Sequence, residues 1–199
     1  VMELVVDGRT INTTQAPFVI AELSANHRGS LAATLELIHA AHEAGADAVK
    51  FQHFTPDTIT VHSGDPELRN SGGTLWDGAQ LADLYADAML PWEWTPELVA
   101  EAKKLGIIWL SSPFDRTAVD FLVAFDVPAL KIASFEIIDL PLIRYAGAQG
   151  RPMIISTGMA TVAEIDAAVR AALVGGAPSV ALLRCNSGYP ADPGEMDLL

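Results

Sequence analysis

Six short apolar runs recur along this chain, each followed by residues at helical spacing, and no other feature constrains the fold as much. The runs fall at 18–23, 47–52, 107–111, 129–133, 152–156 and 179–185. Helical blocks lie between or after them at 31–44, 75–89, 95–105, 117–125, 140–148 and 161–173. In the first block Leu31, Leu35, Ile38 and Ala41 fall on one face, and Gly45 ends the pattern. Thr95 is expected to cap the block that Gly106 closes, Gly150 stops another, and Thr161 with Glu164 spells a capping box. Strands alternating with helices of about 10–15 residues imply parallel β/α units. The runs are almost continuously apolar, as burial on both faces demands. Ahead of this rhythm, 3–11 holds two β-prone stretches around Asp7-Gly8, a hairpin signal. The polar stretch 53–73 exceeds the roughly 12–15 residues usual for structureless connections. It is expected to cover a substrate or to be disordered.

Two α/β architectures fit, a doubly wound open sheet and a (β/α)8 barrel. The first calls for a Gly-x-Gly-x-x-Gly turn after its opening strand, and the chain has none. Polar residues instead stand at the C-terminal end of every expected strand. They are Glu22, Lys50 and Gln52, Ser111 and Ser112, Lys131 with Ser134 and Glu136, Ser156 and Thr157, then Cys185, Ser187 and Tyr189. Side chains gathered from many strand ends are the barrel pattern. A barrel of this kind takes about 250 residues, and the chain has 199. The expectation is an α/β TIM barrel represented by about its first six β/α units (17–199), preceded by an N-terminal β-hairpin (1–16).

Composition removes other classes. With 12 Lys and Arg against 25 Asp and Glu the net charge is −13, which argues against nucleic acid as a partner. Half of the residues are hydrophobic, too many for a disordered chain. No apolar run reaches the roughly 18 residues of a membrane span, and no charged-then-apolar leader opens the chain, so a cytoplasmic protein is expected. A single cysteine, Cys185, leaves no disulfide framework and no Cys-rich metal site.

The lysines carry the sharpest chemical signal. There are four. Lys103 and Lys104 belong to a solvated helix face. Lys50 and Lys131 interrupt apolar strands, in Ala-Val-Lys-Phe-Gln and Ala-Leu-Lys-Ile-Ala-Ser. Desolvating an ammonium is costly, so each needs an anion or a carboxylate. One reading is an internal ion pair, to Glu22 or Glu136. The other, which we favour, is a site for a small anion, flanked by the hydroxyls of Ser112, Ser134 and Ser156. Glu22 and Glu136 can orient a polyol or move protons. His27 is either a turn residue or part of the site, His39 and His42 belong to a helix surface, and His53 and His62 fall in the long polar stretch. No spacing of these histidines makes a metal motif. Cys185 reads as a small buried hydrophobe near the site, and Trp92 and Trp94 as packing residues.

Six stretches carry a resemblance. Phe-Val-Ile-Ala-Glu-Leu-Ser-Ala-Asn-His (18–27), Gly-Ala-Asp-Ala-Val-Lys-Phe-Gln (45–52), Ser-Ser-Pro-Phe-Asp (111–115), Leu-Lys-Ile-Ala-Ser-Phe-Glu (130–136), Ile-Ile-Ser-Thr-Gly-Met-Ala (154–160) and Cys-Asn-Ser-Gly-Tyr-Pro (185–190) run in order. Together they resemble the sialic acid synthase family, which condenses phosphoenolpyruvate with N-acetylated amino sugars to give nonulosonic acids. Pro-Trp-Glu-Trp (91–94) and Phe-Asp-Arg-Thr-Ala-Val-Asp-Phe (114–121) look most like its pseudaminic acid synthase branch. The resemblance implies that Lys50, Lys131, Ser112, Ser134 and Ser156 hold phosphoenolpyruvate. It implies that Glu22, Gln52 and Tyr189 face the sugar, expected to be 2,4-diacetamido-2,4,6-trideoxy-L-altrose, and that Glu136 lies beside the reacting carbons. Glu22, Glu136 and Lys131 are the catalytic candidates. It further implies a divalent metal, Mn or Mg, whose histidine ligands lie on later strands beyond Leu199. A homodimer and a C-terminal antifreeze-like domain, also beyond Leu199, complete the family picture. Arg28 and His53 depart from the family pattern, which usually has Asn at the first and often a small or hydroxyl residue at the second. Two further readings stay open, a Schiff-base aldolase using Lys131 and a non-catalytic anion-binding fragment.

Overall fold

The computed structural model describes residues 3–70, 77–186, 192 and 194. In chain order its elements are β1 (Leu4–Val6), β2 (Arg9–Ile11), β3 (Ile20–Glu22), α1 (Leu31–Glu43), β4 (Ala48–His53), α2 (Pro56–Ile59), α3 (Leu81–Ala88), α4 (Thr95–Leu105), β5 (Ile108–Pro113), α5 (Arg116–Ala124), β6 (Leu130–Ile132), α6 (Leu140–Gly147), β7 (Met153–Ser156), α7 (Val162–Gly175) and β8 (Val180–Leu183). They fall into two compact units, Val19–Trp109 and Val1–Phe18 with Leu110–Leu199.

In Val19–Trp109, β3 pairs parallel with β4, Glu22 opposite Lys50. The start of β5 follows, the Ile108 N–H bonding to Asp47 O at 3.1 Å. Ile38, Val49, Phe51 and Leu98 are buried here. The Ser30 side chain caps α1 by accepting the Ala33 N–H at 3.2 Å. In the other unit the rest of β5 pairs with β6, β6 with β7 and β7 with β8, all parallel. Leu130, Ile132, Ile143, Met153 and Ile155 are buried. Strands that follow one another in order, with no reversal, are those of a (β/α)8 barrel rather than a doubly wound sheet. Asp115 caps α5, Asp139 caps α6, and the Thr161–Glu164 box opens α7 as expected. The hairpin is present too, β1 antiparallel to β2 around Asp7 and Gly8, whose φ values of 48° and 76° give the turn strand pairing favours.

Glycines set the closest helix contact. A Cβ on Gly147 of α6 would stand 2.5 Å from the Ala172 carbonyl oxygen of α7. A Cβ on Gly175 of α7 would stand 2.5 Å from the Arg144 oxygen of α6. Each helix thus lays its backbone on the other where the other has no side chain.

Several expectations need correcting. Thr95 is not a cap. It is the first helical residue of α4 (φ −53°), Trp94 takes the cap position, and the Thr95 hydroxyl turns inward to His53. The stretch after β4 is not structureless: it holds α2 and a 3-10 turn at Pro66–Leu68. Helix α3 starts at Leu81 rather than near 75; residues 71–76 lie outside those described. Strand β8 stops at Leu183, short of Cys185, and is not buried on both faces, with Leu182 and Leu183 47% and 39% exposed. A 3-10 turn at Phe135–Ile138 after β6 was not foreseen.

Candidate functional site

The ends of β6, β7 and β8 assemble a polar cluster by register. Lys131 lies opposite Ile154, and Ser156 is two residues further on the same face of β7. Ser156 in turn lies opposite Leu183, and Cys185 is two residues beyond that. The three side chains meet. The Lys131 ammonium donates to Ser156 Oγ at 2.5 Å and to the Ile132 carbonyl at 2.9 Å. The Cys185 thiol donates to Ser156 Oγ at 3.1 Å. Lys131 and Ser156 are buried, 6% and 4% exposed, while Cys185 is half-buried. Cys185 is therefore not a passive apolar filler, because its sulfur hydrogen-bonds inside the cluster. Ser112, buried on β5, belongs to this unit, one residue past the Ser111 that lies opposite Leu130.

The turn after β6 carries the other two candidates. Ser134, half-buried, sits at its N-cap position without a capping bond from its side chain. Glu136 is held within the turn. Its Oε2 is buried and has no hydrogen-bond partner among the described residues. Burial raises the Glu136 carboxyl above its ordinary range; a backbone hydrogen bond and the charge of Lys131 act against this, and Asp139 adds to it. A buried oxygen with no partner favours a proton or a ligand there.

In Val19–Trp109 a second cluster forms. Lys50 is ion-paired with Glu22, its partner across the β3–β4 ladder. Of the two readings of the strand lysines, the internal pair is thus the one realised at Lys50. Glu22 also accepts the Ser24 N–H at 3.0 Å, and Gln52 donates to Ser24 Oγ at 3.2 Å. Ser24 sits at φ 44°, a strained conformation that turns the chain back over the strand end. Glu22, Lys50 and Gln52 are thereby linked. Tyr189, like Ser187, lies outside the described residues.

The histidines serve structure. The Gly29 N–H donates to His27 Nδ1 at 3.0 Å, so the proton is on Nε2, which donates to Ala88 O at 3.1 Å. His27 is a turn residue, ring-packed edge-on against Trp94. His53 is fully buried, bonded through Nε2 to Thr95 Oγ1 at 2.9 Å and packed on Trp92. Burial alone lowers its pKa to about 4. It closes β4 in the interior rather than projecting from a loop, so its departure from the family pattern is a packing difference. Arg28, the other departure, is exposed at φ 51°. His39 pairs with Glu101, and His62 with Asp57, at the surface. Among the described residues no group of three or more His, Cys, Asp or Glu could hold a metal ion. The histidine ligands that the resemblance implies are not among these residues, and no step below is routed through a metal. No helix among them is long and apolar enough to cross a membrane.

Comparison with known proteins gives these clusters a context. The sequence profile of the NeuB family matches residues 37–199. The pseudaminic acid synthase of Campylobacter jejuni is 42% identical over 187 residues, which are 94% of this chain and 54% of that protein. The N,N'-diacetyllegionaminic acid synthase of Legionella pneumophila is 36% identical over 191 residues, 91% of this chain and 52% of that one. Among solved structures, the N-acetylneuraminic acid synthetase of Leptospira borgpetersenii in complex with citrate matches with a TM-score of 0.83 and 28% identity, covering 98% of this chain and 63% of that one. The chain spans about half the length of the curated relatives it matches.

Proposed function

The chain belongs to the NeuB family, and on that premise we propose that it carries phosphoenolpyruvate-binding and proton-moving groups of a nonulosonic acid synthase. The observation that carries this reading is the buried Lys131 ammonium bonded to Ser156 at a strand end, with a buried Glu136 oxygen in the next turn that has no hydrogen-bond partner among the described residues.

In the proposed reaction the enol carbon of phosphoenolpyruvate attacks the aldehyde carbon of an open-chain N-acetylated amino sugar. A C–C bond forms, the aldehyde oxygen takes up a proton, and positive charge develops at the phosphate-bearing carbon. Water adds to that carbon and loses a proton. The tetrahedral intermediate then breaks its C–O bond to phosphate and leaves a 2-keto acid. The protein's work is alignment and charge stabilisation in a dry site. Lys131 and Ser156, with Ser112 and Ser134, bind the anionic oxygens of phosphoenolpyruvate, and Lys50 adds a smaller share of charge because Glu22 is paired with it. Glu136, which burial biases toward the neutral form, exchanges a proton with the reacting oxygens. Glu22, Gln52 and Tyr189 contact the sugar. The higher identity to a pseudaminic acid synthase supports 2,4-diacetamido-2,4,6-trideoxy-L-altrose as that sugar.

The test follows the oxygen. Phosphoenolpyruvate labelled with oxygen-18 in the bridging C–O–P position is incubated with the protein, this sugar and a divalent cation. Label in the released phosphate is the expected result. Label retained in the keto product, or no consumption of phosphoenolpyruvate, overturns the proposal.

A further inference from the structure

We infer that Cys185 is a positioning residue, whose thiol fixes the Ser156 hydroxyl so that the Ser156 proton is offered to the anion. The inference rests on reading Lys131 and Ser156 as an anion site. A serine hydroxyl has one hydrogen to give and two lone pairs to receive. An ammonium only donates, so Lys131 at 2.5 Å occupies one lone pair. The Cys185 thiol at 3.1 Å occupies the second. The same thiol reaches the Leu183 carbonyl only at 3.6 Å, the poorer of its two acceptors. With both lone pairs engaged, the hydrogen on Ser156 Oγ has no role except to donate. Ser156 is the last residue of β7, at the strand end where barrel folds present ligands. Without the thiol, the hydroxyl could rotate and present a lone pair to an anion, which repels it.

The register makes this arrangement a built feature. Lys131 opposite Ile154 places 131 and 156 on one face of the sheet, and the Cys185 thiol reaches Ser156 from two residues beyond the end of β8. Cys185 is also the only cysteine of the sequence, so its thiol can be addressed alone.

Titration calorimetry with inorganic phosphate tests the inference on the unaltered protein and on Cys185→Val, Cys185→Ser, Ser156→Ala, the Ser156→Ala/Cys185→Val double variant and Lys131→Met. Cys185→Val keeps the volume and loses the donor, and a roughly fivefold weaker Kd is expected, the size of one hydrogen bond. Cys185→Ser keeps a donor and restores most of the affinity. In the Ser156→Ala background Cys185→Val changes nothing further, a coupling that a packing role would not produce. An unchanged Kd in Cys185→Val, or an equal loss with and without Ser156, overturns the inference. Failure of Lys131→Met to weaken phosphate binding overturns the anion site itself, a separate outcome. Should Cys185→Val not fold, methyl methanethiosulfonate caps the thiol on the folded protein and dithiothreitol frees it. The same loss, reversed on reduction, is expected, and an indifferent Kd counts against the inference.

Discussion

The two strand lysines look alike in sequence and live differently in the structure. Each interrupts an apolar strand, each is buried, and each belongs to a different compact unit. Lys50 is met by a carboxylate, Glu22, set opposite it by the β3–β4 register. Lys131 donates to a hydroxyl and a carbonyl. A carboxylate in direct contact offsets an ammonium's charge more than a hydroxyl or a carbonyl does. In the same unit as Lys50, buried His53 is kept neutral by its surroundings. In the turn after Lys131, Glu136 has a buried oxygen with no hydrogen-bond partner among the described residues. One unit sets its strand lysine against a carboxylate; the other sets its strand lysine against a hydroxyl and a carbonyl.

Replacement of the lysines tests this directly. Lys131→Met is expected to cost phosphate binding about 4 kcal/mol, close to a thousandfold in Kd. Next in size is an acid effect in the unit of Lys50. The His53 ring titrates near 6.5 when unfolded and at about 4 when folded. Between those values the unfolded chain binds more protons, so stability falls as pH drops from 6.5 to 4, by about 3 kcal/mol in all. Denaturant melts across that range check it, and His53→Asn should flatten the slope. Third, Lys50→Met should weaken phosphate binding only about tenfold, because Glu22 already shares that charge. Equal losses at both lysines would break the comparison and mean that the Glu22 pair opens to release its cation. The smallest effect concerns Glu136. Its raised carboxyl pKa means that stability falls as pH climbs from the ordinary glutamate range through the folded value. Glu136→Gln should remove that slope and leave the protein slightly more stable than the parent at neutral pH. A variant no more stable at pH 8 than the parent would show that the orphaned oxygen carries no strain.

Much of this was legible in the chain. The start of α7 was marked by Thr161, and helix ends by Gly45, Gly106 and Gly150, because caps and left-handed stops are local chemistry. Lys131 and Ser156 were found because a lysine inside an apolar strand demands a partner. What stayed hidden depends on contacts between distant residues. The Glu22–Lys50 pair was one of two readings left open, and choosing it needs the register of two strands, which neither strand states. Thr95 before a proline looks like a cap, and only the burial of His53, 42 residues earlier, draws its hydroxyl inward. Phe135–Ile138 reads as a continuing apolar run, so the turn that holds Glu136 had no signature. The Cys185 bond escaped because a thiol beyond a strand end has no periodicity to betray it.

The paired glycines of α6 and α7 limit how far this part of the chain can be rewritten. Each stands against a carbonyl three residues before the other glycine, so the two positions are coupled and neither tolerates even one methyl group. If both helices were randomised and selected for folding, their solvent-facing positions should drift freely while 147 and 175 return glycine together.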